Sequence, residues 1–250
     1  MLFLSLFFVA QFSKAVTINV PYPGGLKEMS IDYSITDLTL TGKIDARDFE
    51  VLFVQLTKLT TLDLSDVNIM EYHVDETFVF PANTIPDNAF YSTYTSSGKP
   101  LLTKVILPAN LTAVGVRSFE NCTGLTEIIL PEGVVSIGRS AFQNCTGLSS
   151  IVLPSKVTTV GNRAFEYCIK MTKVVLSKSL TTIGEYAFRD CEELIAVEAH
   201  NITPPDISKV KSVFENAHPK CVLYVLPSAK DSYRASYQWM DFQKIEELKL

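Results

Sequence analysis

Four cysteines, Cys122, Cys145, Cys168 and Cys191, stand 23 residues apart, and nearly the same phrase surrounds each of them. A fixed period of this size constrains the fold more than any composition figure can. A unit of about two dozen residues cannot enclose a core alone, so it must stack on copies of itself as a solenoid.

The phrase reads as physics. Units open at Leu102, Leu125, Leu148, Met171 and Leu194. In the second, Leu125, Ile128 and Leu130 lead to Pro131, followed by Val134, Ile137, Gly138, Ala141, Phe142 and Cys145. The third repeats them as Leu148, Ile151, Leu153, Pro154, Val157, Val160, Gly161, Ala164, Phe165 and Cys168. Alternation over Ile128 and Leu130 suits a strand with one buried side. Pro131 lacks a backbone donor and fits the strand's end. Gly115, Gly138, Gly161 and Gly184 mark a recurring bend. The pairs Ser118-Phe119, Ala141-Phe142, Ala164-Phe165 and Ala187-Phe188 open short turns on the outer side. Strands of successive units should pair in parallel about 4.8 Å apart, stacking identical side chains into ladders.

Weaker copies lie on both sides. Residues 35–40 and 59–64 read LxxLxL, residues 45–55 show the helical spacing of Phe49, Leu52, Phe53 and Leu56, and residues 221–227 align with 125–131. The expected fold is therefore a repeat solenoid, α/β or mostly β, with a parallel sheet of about eight rungs, short turns or 3-10 segments outside, one N-terminal helix and a C-terminal cap. Its expected divisions are a signal peptide at 1–15, an N-terminal repeat-like region at 16–101 with an insertion at 68–100, the clear repeats at 102–227 and the cap at 228–250. The cap is helix-capable and carries Tyr233, Tyr237, Trp239, Phe242 and Ile245.

Residues 1–10 form an apolar run of signal-peptide length, too short for a membrane span, and Ser13 and Ala15 are the small residues of a cleavage site. No lysine or arginine precedes the run. The expectation is export to the cell surface or medium, with no membrane span and a monomeric state. A net charge of −5 argues against nucleic-acid binding. Four of the five cysteines share one repeat position, where Cys acts as a small buried hydrophobe, so no disulfide is expected.

These residues resemble the BspA-like leucine-rich repeats, whose units of about 23 residues read roughly LxxIxLPxxVxxIGxxAFxxCxx. Residues 125–147 match at every conserved column named above, and the match is close over 102–194 and looser over 31–250. Ser177 stands in the proline column, the unit after Leu194 is irregular, and the insertion at 68–100 interrupts the series. The resemblance implies a surface or secreted protein, of a kind found mainly in host-associated anaerobic bacteria and some protozoan parasites. Some members are adhesins for host matrix proteins or for other bacteria.

No catalytic constellation emerges, and no cofactor is expected. His73 lies among Glu71, Asp75 and Glu76, and His200 and His218 share the irregular unit with Asp206. Both groups read as surface charge rather than as metal sites. Four Asn-x-Thr sequons occur, at Asn110, Asn121, Asn144 and Asn201. The outward strand positions offer a partner site instead: a β-branched column of Ile106, Ile129, Val152 and Val175, flanked by Glu127, Ser150 and Lys173. Such a contiguous apolar stripe on an open sheet face suits binding, whereas strand propensity alone would also place β-branched residues there. A second column, Arg117, Ser140, Arg163 and Tyr186, reads as a solvated outer face. The expected function is a non-enzymatic, adhesin-like protein-binding module. The alternative is a carbohydrate-binding or glycan-scavenging accessory protein using Tyr72, Phe78, Phe80, Tyr91 and Tyr94 of the insertion.

Overall fold

The structure is a computed structural model that describes residues 14–249. The expected leader therefore lies outside the described residues, apart from its last two positions, and Ala15 opens the first strand.

Ten parallel strands follow one another along the main face: Ala15–Val20, Asp37–Ile44, Thr61–Ile69, Lys104–Ile106, Glu127–Ile128, Ser150–Val152, Lys173–Leu176, Ala196–Ala199, Val222–Val225 and Lys244–Glu247. Strand pairing lapses at one step, between Glu127–Ile128 and Ser150–Val152, where Ser149 N–H still donates to Thr126 O at 3.2 Å. Eight of the ten are the expected rungs. The two additions close the ends. Ala15–Val20 pairs with Asp37–Ile44, and Lys244–Glu247 brings a strand to a cap otherwise made of the short helix Lys230–Arg234 and 3-10 turns. Its exposed lysine and glutamates suit a sheet edge.

The four regular rungs opening at Leu102, Leu125, Leu148 and Met171 also make a second, two-residue strand where the passage before the recurring glycine crosses the stack, and Thr84–Ile85 joins them from the insertion. Thr84–Ile85, Ala113–Val114, Ser136–Ile137, Thr159–Val160 and Thr182–Ile183 form a second parallel sheet. Its spacing explains the glycines. A Cβ on Gly161 would lie 2.6 Å from Arg139 N and 2.7 Å from Gly138 C, so the close approach of two backbones, not φ, demands glycine there.

The core lies between these sheets and the outer turns, and one aromatic column runs through it. Phe119, Phe142, Phe165 and Phe188 stack at 5.2 Å with interplanar angles of 8° or less. Phe49 and Phe90 extend the column toward the N-terminal side, and Phe214 and Trp239 extend it into the cap. Phe49 comes from the helix Ala46–Val54, which Asp45 and Asp48 open with a capping box. The buried Asp48 carboxylate also accepts from Gly24 and Leu26 N–H, at 2.7 and 2.8 Å, tying the first turn to the helix.

The cysteines form the neighbouring column. Cys145, Cys168 and Cys191 each direct Sγ at the phenylalanine carbonyl of the preceding rung, at 3.1 to 3.3 Å. All five thiols are free and buried. Burial pushes Cys122, Cys191 and Cys221 up to about 12 and raises Cys145 and Cys168 as well.

Candidate binding surfaces

The pleat decides which strand positions face solvent. Within Lys104–Ile106 and Ser150–Val152 the middle residue is buried and the outer two are exposed. Register then assembles two columns on the open face. Lys104 pairs with Glu127, and Ser150 with Lys173 and Ala196. Asp63 pairs with Ile106, and Val152 with Val175, Glu198 and Tyr224 in turn.

The expected stripe is strongest at its middle. Ile129 is 73% exposed and Val152 59%, with Ile106 at 37%. Val175 is half-buried beside Glu198, its partner in register, and Lys173 Nζ reaches Glu198 Oε1 at 2.7 Å. Glu127 and Ser150 remain exposed on the flank. The apolar patch is thus centred on Ile129 and Val152, with Asp63 at one end and the Lys173–Glu198 ion pair at the other.

Beside it runs a ladder that the strand pattern alone does not reveal. The hydroxyls of Thr60, Thr103, Thr126, Ser149 and Thr172 each donate to a carbonyl of the preceding rung at 2.9 to 3.3 Å. These side chains, exposed except for the half-buried Thr60, hold the rungs together. Their recurrence at one phase of the repeat was the available signal.

The outer turns differ from the expected solvated face. Arg117, Ser140, Arg163 and Tyr186 all adopt left-handed φ, between 55° and 58°. Arg163 and Arg189 lie over the Tyr186 ring at 5.5 and 4.4 Å, and Arg117 lies over Tyr91 at 5.7 Å. Beneath them Glu166 is fully buried, accepting from Gln143 Nε2 at 2.5 Å and pairing with Arg189. Burial raises the Glu166 pKa despite the opposing Arg189 and Arg163 charges. The arginines are held by buried acids and rings, so this face is a built polar layer.

The remaining candidates separate. His73 Nε2 sits 2.6 Å from Glu71 Oε1, both exposed. His200 and Asp206 line one open hollow, while His218 lines a different cleft. Among the described residues no three His, Cys, Asp or Glu side chains converge as a metal site. In the insertion, Tyr72 stacks on Phe80, Phe78 meets Phe80 edge-on, and Tyr91 is buried, whereas Tyr94 is fully exposed. Asn201 is buried with Nδ2 donating to Lys178 O and Leu180 O, Asn144 Nδ2 donates to Asn121 Oδ1, and Asn110 is exposed. Among the described residues no helix is long and apolar enough to cross a membrane.

A profile of the BspA type leucine rich repeat region matches residues 83–218 in six copies. The chain is similar to the leucine-rich repeat protein TpLRR of T. pallidum, with 30% identity and a TM-score of 0.52 over 68% of this chain and 71% of that one. A leucine-rich repeat protein from Bacteroides ovatus aligns at 20% identity and a TM-score of 0.49, over 96% of this chain and 56% of its own. A leucine-rich cell-surface protein from Faecalibacterium prausnitzii aligns at 14% identity and a TM-score of 0.27, over 95% of this chain and 88% of that one. No curated protein matches the chain. Leucine-rich repeat regions of this kind generally mediate protein interaction and are typically non-enzymatic.

Proposed function

The chain belongs to the BspA type leucine-rich repeat family, and from that premise we propose that it is a secreted or cell-surface, adhesin-like module that binds a protein partner through the open face of its sheet. One observation carries this reading: Ile129 and Val152, 73% and 59% exposed, project from one sheet face, whereas Val105, Ile128, Ile151 and Val174 of these and the adjoining rungs are 5% exposed or less. Exposed β-branched residues on successive rungs form a patch, and a patch rimmed by Lys104, Glu127, Ser150 and Lys173 has the apolar centre and polar edge of a protein interface. Residues 1–15 support export. The insertion offers a second reading, a glycan site, on the strength of the fully exposed Tyr94 and the half-exposed Phe78.

Biolayer interferometry of the purified chain against host matrix proteins and mucin-type glycans tests the proposal. Saturable protein binding that disappears in an Ile129→Glu/Val152→Glu variant is expected. Binding that survives in that variant and is lost in Tyr94→Ala would move the site to the insertion.

A further inference from the structure

In every regular rung the next rung seals the aromatic column, and Phe119, Phe142, Phe165 and Phe188 are completely buried. That seal fails at the last irregular rung. The next ring, Trp239, comes from the cap, and Val213 N–H donates to the Gln238 side-chain Oε1 at 2.9 Å. In the regular rungs the matching Ala164 N–H and Ala187 N–H instead find a backbone carbonyl of their own turn, Gly161 O and Gly184 O, at 3.2 and 3.3 Å. The Gln238 amide replaces that carbonyl, and its Nε2 donates to Ile207 O and Val210 O at 2.7 and 2.8 Å. The cap therefore closes the end of the core but leaves its flank open. Phe214 stays half-buried, and a cleft of about 640 Å³ remains between residues 210–221 and 237–243. That volume lies within the roughly 300–1,000 Å³ usual for small-ligand sites.

We propose that this cleft binds a neutral saccharide. Four partly exposed rings line it, Tyr186, Phe214, Tyr237 and Phe242. Tyr237 is 60% exposed, and among the described residues its ring meets no other aromatic ring and its hydroxyl no hydrogen-bond partner. A free ring of this kind suits the C–H face of a pyranose, which carries partial positive charge toward the negative ring face. The polar rim is as suggestive. The carboxylates of Glu215 and Asp241, the Lys211 ammonium and the Gln243 amide all line the cleft, and among the described residues none makes an internal hydrogen bond or ion pair. His218 accepts from Lys220 N–H through Nδ1 at 3.1 Å, so the neutral ring carries its proton on Nε2 and offers one donor.

Donors and acceptors thus share the cleft with partly exposed rings, a combination that a ring of hydroxyl groups satisfies from both sides. The carboxylates of Glu215 and Asp241 oppose a phosphate or a sialic acid, and the Lys211 ammonium offsets one of their two charges. The site is separate from the stripe at Ile129 and Val152, so its occupancy does not depend on the protein-binding face.

The test is a printed array of neutral and acidic oligosaccharides probed with the full chain. Titration calorimetry then compares the free saccharide with the same glycan on a carrier protein. A neutral saccharide should bind in both forms. Tyr237→Ala and Asp241→Asn should each weaken it by about tenfold or more, with thermal unfolding unchanged, and Ile129→Glu/Val152→Glu should leave it intact. Absence of any neutral glycan above background, preference for acidic glycans, or binding untouched by both cleft variants would overturn the assignment.

Discussion

Removal of one ring from the aromatic column offers a sharp energetic test of the stack. Phe142 is fully buried, with Phe119 and Phe165 stacked on its two faces at 5.2 Å. Truncation of a buried phenylalanine to alanine costs about 3–5 kcal/mol, the spread reflecting how far the surroundings collapse into the space. Here collapse is blocked. Rung spacing on either side is fixed by backbone hydrogen bonds, Phe119 N–H to Ala141 O and Phe142 N–H to Ala164 O, both 2.8 Å. The variant also loses two stacked pairs, each worth about 0.5–1.5 kcal/mol beyond burial. Phe142→Ala should therefore fall at the top of the range, near 5 kcal/mol, while Phe142→Leu, which keeps most of the volume, should cost about 1.5 kcal/mol or less. Urea titrations followed by far-ultraviolet circular dichroism and by the single tryptophan, Trp239 in the cap, read both the whole stack and its C-terminal end. A loss below about 1 kcal/mol for Phe142→Ala, or equal losses for the two variants, would refute the packed column.

Three further outcomes follow from the same geometry. Gly161→Ala places a methyl against the backbone of the preceding rung and should destabilise by about 1–3 kcal/mol in a urea titration, whereas a neutral effect would show that the second sheet is not this tightly spaced. Lys99 is 3% exposed, with Nζ donating to Leu56 O at 2.6 Å beyond the end of the helix Ala46–Val54, and burial pushes its pKa down to about 8. An unfolded lysine keeps its proton to about 10.4, so the unfolded state binds more protons between pH 8 and 10.4 and stability contributed at this residue rises across that window by about 3 kcal/mol. The buried thiols act in the opposite sense above pH 9, so the quantity to measure is the difference between wild type and Lys99→Met, and a difference that is flat with pH would contradict the burial. Because all five thiols are buried and held protonated, DTNB should label the native chain only at its unfolding rate; rapid labelling of Cys145 or Cys168 in native buffer would break the cysteine column.

The repeat columns were legible because each position meets a copy of itself, so one physical demand is written several times. Phe142, Cys145 and Gly161 could be read without any structure for that reason. The second sheet was not legible, since strands of two residues, such as Ser136–Ile137, are shorter than any alternation signal. The end strand Lys244–Glu247 was hidden for a different reason: at an edge, charge replaces the apolar pattern that identifies a rung. The stripe at Ile129 and Val152 followed from the pleat, but the half-burial of Val175 did not, because its neighbour in register on the next rung is the long side chain of Glu198, held by Lys173. The outer arginines looked solvated because nothing in the spacing announces that Glu166 is buried beneath them. The cleft beneath the cap arises where the period fails, and there the sequence offers aromatics without a register to place them.

The claim that the open sheet face is the binding surface is tested most directly by hydroxyl-radical footprinting of the chain with a panel partner bound. Exposed side chains oxidise, and protected ones do not. Oxidation at Ile129 and Val152 should fall on binding while Tyr94 in the insertion and Val135 outside the stripe, 100% and 43% exposed, stay unchanged. Protection at Tyr94 or Val135 with Ile129 and Val152 oxidised as before would place the partner elsewhere and contradict the account.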